Sequence, residues 1–285
     1  MQHSAMAHPF TRLLLATEHT EQDQGAEALA FELARRCAVP LHAVLPIVSN
    51  PEYEALAPQL AAQAETRAGQ CIDALRADAQ RAGVALEVHT RRGPDPWREI
   101  VDEAAERAAD LLVIRRRGRR GLLANLLVGE MVRNVVAHAP CSVLVVPRGA
   151  TMWSQRVLAA IEPEAADMTP VAIAVAVAHE CGLPLTLVCV AQGDAQRPLA
   201  QRMLEHARST AQSLEVGPEV LQPEGRAHEQ IVAAAHRAGA DLLVIGRHRA
   251  EALPRAWLGD VTQKVIGLAD RPVLVTSSPT TRRPS

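Results

Sequence analysis

Apolar residues follow two rhythms along this chain. Short apolar-rich runs lie at residues 13–17, 41–45, 111–114 and 143–146, the pattern of strands buried on both faces, and a further strand is expected over 84–90. Between them apolar residues recur at helical spacing. Over residues 25–38 they are Ala26, Leu29, Ala30, Leu33, Ala34 and Cys37, and Pro40 follows as a stop signal. An alanine-rich helix is expected over 58–82, with Pro58 tolerable in its first turn and Gly83 ending it in the left-handed conformation. Pro46 is read as the limit of the second strand, because proline has no N–H for a ladder. Residues 93–96 (Gly-Pro-Asp-Pro) turn the chain into a helix over 97–108, with Asp95 placed to cap it. A further helix is expected over 129–139. Five short strands alternating with helices predict an α/β, doubly wound, Rossmann-like parallel sheet with helices on both faces.

The plan occurs twice. RLLLATEHT at 12–20 returns as RVLAAIEPE at 156–164, and Glu18/Glu162, Cys37/Cys181 and Pro40/Pro184 are each 144 apart. Later pairs shift: Asp110/Asp241 are 131 apart and Gly129/Gly259 are 130 apart. The lost residues fall in the second helix and the loop before it. Two domains in tandem follow, 9–148 and 153–277, each a five-stranded parallel sheet.

Composition narrows the function classes. Aromatic residues are 2% of 285 and the formal net charge is −2. Stacking platforms for exposed bases are scarce, and no global field draws the chain to nucleic acid or acidic lipid. The longest apolar run, 171–178, is too short to cross a bilayer. Five cysteines without a CxxC pair suit reduced thiols and a cytoplasmic location. The last residues read as a disordered tail. Eleven histidines show no HExxH or Cys/His clustering, so no metal site is expected. No Ser/His/Asp spacing or G-x-S-x-G elbow points to catalysis.

Candidate chemistry sits at 110–146 (DLLVIRRRGRRGLLANLLVGEMVRNVVAHAPCSVLVV) and at its repeat, 241–276. Doubly wound topology sets the loops after strands one and four side by side at the switch point. Glu18 should therefore approach the loop at 115–121, and Glu162 the loop at 246–249. Either acid has two readings, a ligand-facing group or a residue that favours a helix start.

These segments, with GPDPWREIVDEAAERAADLLVI at 93–114, resemble the universal stress protein family in its tandem form. The resemblance implies an adenine nucleotide alpha hydrolase-like fold, and domains that pair through their last strands. Residues 143–146 and 273–276 would then meet antiparallel across a pseudo-twofold axis, and a further homodimer of chains is compatible with that arrangement. Nucleotide-binding members look like Gly-x2-Gly-x9-Gly-Ser/Thr, beginning at the end of strand four. Glycines there let backbone amides approach phosphate, and the last pair opens a helix whose N-terminus favours an anion.

Both copies depart from that pattern. In the first, Arg115 replaces the first glycine, Gly118 matches the second, ten residues precede Gly129, and Glu130 replaces the hydroxyl. In the second, Gly246 and the nine-residue spacing to Gly259 survive, but Arg249 and Asp260 replace the second glycine and the hydroxyl. The aspartate of nucleotide binders in strand one is Glu18 or Glu162. A carboxylate ~5 Å from a phosphate charge repels it by about 3 kcal/mol at an effective dielectric near 20, roughly a hundredfold in affinity. Glu130 and Asp260 are thus expected to act as internal ligands, partnered by Arg115–Arg117 or by Arg247 and Arg249. The expected function is a non-catalytic stress-response protein that works through an unidentified protein partner. The alternative is an ATP- or AMP-binding sensor, with ATP or AMP as cofactor and slow ATP hydrolysis.

Overall fold

The computed structural model describes residues 9–116, 129–165, 167–247 and 258–277. They form two compact units, one built from 10–116 and 129–152 and the other from the described residues of 153–277. In the first unit the order is β1 (Leu13–Ala16), α1 (Gln24–Cys37), β2 (Leu41–Val48), α2 (Pro51–Leu56), α3 (Pro58–Arg81), β3 (Leu86–Gly93), α4 (Pro96–Glu106), β4 (Leu111–Arg115), α5 (Glu130–His138) and β5 (Ser142–Val146). The second has β6 (Val157–Ile161), α6 (Thr169–Cys181), β7 (Leu185–Cys189), α7 (Arg197–Gln212), β8 (Glu219–Leu221), α8 (Ala227–Arg237), β9 (Leu242–Gly246), α9 (Asp260–Leu268) and β10 (Val273–Thr276).

In the first unit the strands lie in the order β3-β2-β1-β4-β5, every neighbour parallel. The second unit has the same plan, β8-β7-β6-β9-β10. The central strands β1, β4, β6 and β9 consist almost wholly of buried Leu, Ile, Val and Ala. This explains their unbroken apolar runs: helices shield both faces. α4 packs with α5, α6 with α7, and α8 with α9. Strand order reverses between β1 and β4 and between β6 and β9, the position at whose carboxyl ends doubly wound sheets bind their ligands.

The strand limit expected at Pro46 is wrong. β2 runs on to Val48 and pairs with β3 throughout. The Thr17 amide donates to the Val44 carbonyl, whereas Leu41 and Ser49 donate to the β3 side. Even-numbered β2 residues therefore face β1, which has ended by position 46, so the missing N–H of Pro46 breaks no ladder bond. The short helix α2 was not expected either. Asp95 does head α4, but its side chain makes no capping bond and pairs instead with Arg98 at 3.1 Å. Gly83 has φ +70°, as the helix end requires. Gly25 marks a tight approach, since a β-carbon there would lie 2.9 Å from the Pro147 carbonyl oxygen.

Candidate functional site

At the carboxyl end of the first sheet the loop after β1 folds over the end of β4. Arg115, the last residue of β4, is only 4% exposed. A buried guanidinium needs acceptors for its donors and an opposite charge close by. Here Nη1 donates to Thr20 Oγ1 at 2.8 Å and to Asp23 Oδ2 at 2.7 Å, and Nη2 donates to Glu18 Oε2 at 2.6 Å. Asp23 Oδ2 also accepts from the Thr20 amide at 2.9 Å and from its hydroxyl at 2.6 Å. The Thr20 hydroxyl thus takes a bond from the arginine and passes one to the aspartate. Asp23 stands at the cap position of α1, yet its side chain bonds none of that helix's amides.

Behind this cage lies a second polar layer. The Thr17 hydroxyl donates to Glu27 Oε1 at 2.6 Å and accepts from the His19 amide at 2.8 Å. His19 Nδ1 lies 3.1 Å from the same Glu27 oxygen, and the backbone at His19 is left-handed, φ 51°. Burial pushes the Glu27 carboxyl above the usual carboxylate range, outweighing the bonds from Thr17 and His19. Arg115 is thus held by two acids, the buried Asp23 and the more exposed Glu18, while Glu27 bonds to Thr17 and His19.

The second unit builds its corresponding corner differently. Gly246 ends β9, and a β-carbon there would meet Pro170 Cγ at 3.2 Å. Glu162 follows β6 directly. Asp167 Oδ1 accepts from the Thr169 amide at 2.9 Å and hydroxyl at 2.6 Å, at the start of α6. The Thr262 hydroxyl donates to the Gly246 carbonyl at 3.3 Å. Burial raises the Cys189 thiol to about 12, with the charge of Glu162 adding to it, so this sulfur stays protonated and unreactive.

Gly129 and Gly259 precede α5 and α9 with nearly the same backbone, φ −57° ψ 148° and φ −56° ψ 144°. Any residue can adopt those angles, so backbone conformation does not require glycine at either position. Glu130 opens α5 and is exposed, and Asp260 opens α9 and accepts from Lys264 Nζ at 2.7 Å. Gly118, Arg249 and the arginines at 117, 119 and 120 lie outside the described residues.

The pairing expected between Arg115 and Glu130 is corrected. The Arg115 donors go to the loop after β1, to Glu18, Thr20 and Asp23. Parallel pairing of β1 with β4 puts those two strand ends side by side, with Ala16 opposite Ile114. Thr20 and Asp23 were missed. Their signal was the T-x-x-D spacing between strand one and the following helix.

The universal stress protein family profile matches residues 9–147 and again 154–277. Universal stress protein Sll1388 of Synechocystis is 38% identical over 82 residues, which are 29% of this chain and 52% of that protein. The chain thus spans about half the length of the curated relative it matches. A universal stress protein structure from Archaeoglobus fulgidus has a TM-score of 0.71 and 18% identity, covering 95% of this chain and 97% of its own. A functionally unknown protein from Pseudomonas aeruginosa PAO1 follows with a TM-score of 0.66 and 18% identity, covering 96% and 95%. At those identities the likeness is one of fold.

Proposed function

Because this chain belongs to the universal stress protein family, we propose that it serves a stress response in the cytoplasm by engaging protein partners, without catalysis, and that its first nucleotide corner is closed by its own arginine. One observation carries the reading. Where the nucleotide-binding pattern has its first glycine, Arg115 is buried and bonded to Glu18, Thr20 and Asp23. Its guanidinium takes space that a glycine would leave to a ligand. Its charge is already matched by acids, so a phosphate gains little from it and is repelled by the acids it leaves over. No helix among the described residues is long and apolar enough to cross a membrane.

A second reading rests on Gly246. That strand end carries no side chain, and the nine-residue spacing to Gly259 is intact. In this reading the second unit alone holds ATP or AMP and the chain is a nucleotide-responsive sensor. Asp260, at the first position of α9, opposes a phosphate there.

Nucleotide extraction from gently purified protein, followed by calorimetric titration with ATP, ADP and AMP, separates the two. The expected result is nucleotide far below one equivalent and no heat at micromolar ligand. Near-stoichiometric ATP in the unmutated protein overturns the first reading. Micromolar binding that Gly246→Arg abolishes establishes the second.

A further inference from the structure

A second cluster lies on β2 and β3, away from the corner just described. The two strands pair in parallel with His42 opposite Glu87 and Val44 opposite His89. Alternation along each strand puts His42, Glu87 and His89 on one face of the sheet. The imidazole rings stack with centroids 5.9 Å apart. His42 Nδ1 is 3.5 Å from Glu87 Oε2, and His89 Nε2 is 3.1 Å from Glu87 Oε1. Both nitrogens are shut off from solvent, and neither is aligned to form a hydrogen bond with that carboxylate. Two buried, unsatisfied imidazole nitrogens aimed at one carboxylate call for an account.

We propose that His42, His89 and Glu87 form a binding site for a divalent transition-metal ion of the zinc class. One nitrogen from each imidazole and one carboxylate oxygen all lie within 4.8 Å of one another. Ligands about 2.0–2.1 Å from a tetrahedral ion are roughly 3.3–3.4 Å apart. The two separations to Glu87, 3.1 and 3.5 Å, run to different carboxylate oxygens and lie close to that edge, so a small turn of the exposed carboxylate presents one oxygen to both rings. Two imidazoles and one carboxylate form a donor set for zinc that leaves a fourth position for water or a partner's side chain. The rings are half-buried and Glu87 is exposed, so the ion has a way in.

Arg107 competes with the metal. Its Nη2 donates to His89 Nδ1 at 2.9 Å, and its Nη1 lies 3.9 Å from Glu87 Oε1. Arginine only donates, so Nδ1 accepts and a neutral His89 carries its proton on Nε2, the nitrogen that would ligate. Binding therefore moves that proton to Nδ1 and displaces Nη2, with no net proton released. Arg107 keeps its other anchor, the bond from Nε to Glu103 at 2.9 Å. The second copy lacks this donor set. Its equivalent strand pair sets Thr186 opposite Glu219 and Val188 opposite Leu221, and Arg156 Nη1 joins Thr186 and Glu219 at 3.0 and 2.9 Å.

The full chain, dialysed against EDTA and then freed of it, is titrated with zinc chloride by calorimetry, and with cobalt(II) followed by its visible tetrahedral bands. Eleven histidines and five cysteines offer weak sites elsewhere, so the difference between variants is what counts. The expected result is one site that His42→Ala or His89→Ala removes. Glu87→Gln, a change at an exposed residue that leaves folding intact, weakens it. Arg107→Ala tightens it about ten- to a hundred-fold, because the charge-assisted bond to His89 no longer has to be broken. If the parent binds no zinc at submillimolar concentration, or if Glu87→Gln and His89→Ala bind as the parent does, the site does not exist. Circular dichroism checks the histidine variants. Should they unfold, Glu87→Gln and Arg107→Ala decide the matter.

Discussion

Arg115 and Gly246 are equivalent residues, each the last of its unit's fourth strand, and their surroundings differ in step. Beside Arg115 the preceding loop offers Glu18, Thr20 and Asp23, and the first turn of the next helix carries the buried Glu27. At the positions 144 further on, the second unit has Glu162, Glu164, Asp167 and the buried, apolar Val171. Asp23 turns away from its own helix to meet the arginine, whereas Asp167 bonds Thr169 at the start of α6. One buried cation thus accompanies a reorganised loop. A partly satisfied buried network is worse than none, so the arginine and its acids stand or fall together.

The sharpest way to break that comparison is to remove the cation. Arg115→Met leaves Asp23, itself buried, without its countercharge. Breaking a buried pair on one side costs about 3–5 kcal/mol. The double variant Arg115→Met/Asp23→Asn should recover part of the loss, because members of one network do not add. Urea melts at neutral pH read this best through hydrogen exchange of peptides from residues 10–116, which isolates the first unit's transition from the second's. A loss too small to measure would mean that the arginine merely fills space.

Glu27 sharpens the comparison by pH. Its carboxyl is raised by burial, so the folded state holds its proton more tightly than the unfolded chain does. The stabilisation from that proton is complete below the ordinary glutamate range and is lost as pH rises through the raised value. Glu27→Gln keeps an acceptor for Thr17 and has nothing to ionise. The variant should therefore gain on the parent as pH rises from 4 towards 7, and the gap should close again on acidification. The effect is smaller than that of Arg115, since one ionisation is altered and no charge is stranded. Melting curves across that range check the sign; a gap that widens on acidification would be the wrong one.

The sheet was readable because its centre is simple. Strands sheathed on both faces are written as apolar runs, and a repeat offset of 144 doubles the signal. The strands away from the centre were read less well. β2 continues through Pro46 because of which neighbour each amide faces, a matter of register that no single stretch of sequence contains. The corner around Arg115 was half legible. Topology sets Glu18 near the end of strand four, but Asp23 reads as an ordinary helix cap until the arginine is seen to claim it. The β2–β3 cluster was invisible for a similar reason. His42 and His89 are 47 positions apart, and only the pairing of His42 with Glu87 unites them.

The smallest expected effect isolates backbone from side chain. α1 ends at Ala38 and α6 at Gly182, equivalent positions in the same left-handed conformation, φ 53° ψ 40° and φ 62° ψ 34°. Each closes its helix by donating its amide to a carbonyl one turn back. An L-residue there strains by roughly 1–2 kcal/mol, whereas glycine does not. Glycine in turn gives the unfolded chain about 0.4–1 kcal/mol more freedom to lose. Ala38 is exposed, and a β-carbon at Gly182 would touch nothing within 4 Å, so neither swap changes packing. Ala38→Gly should then stabilise the first unit by about 0.5 kcal/mol, and Gly182→Ala should weaken the second by a similar amount. Paired melts of the two variants against the parent test this. Shifts of the same sign in both would show that the two helix ends are not held by the same strain.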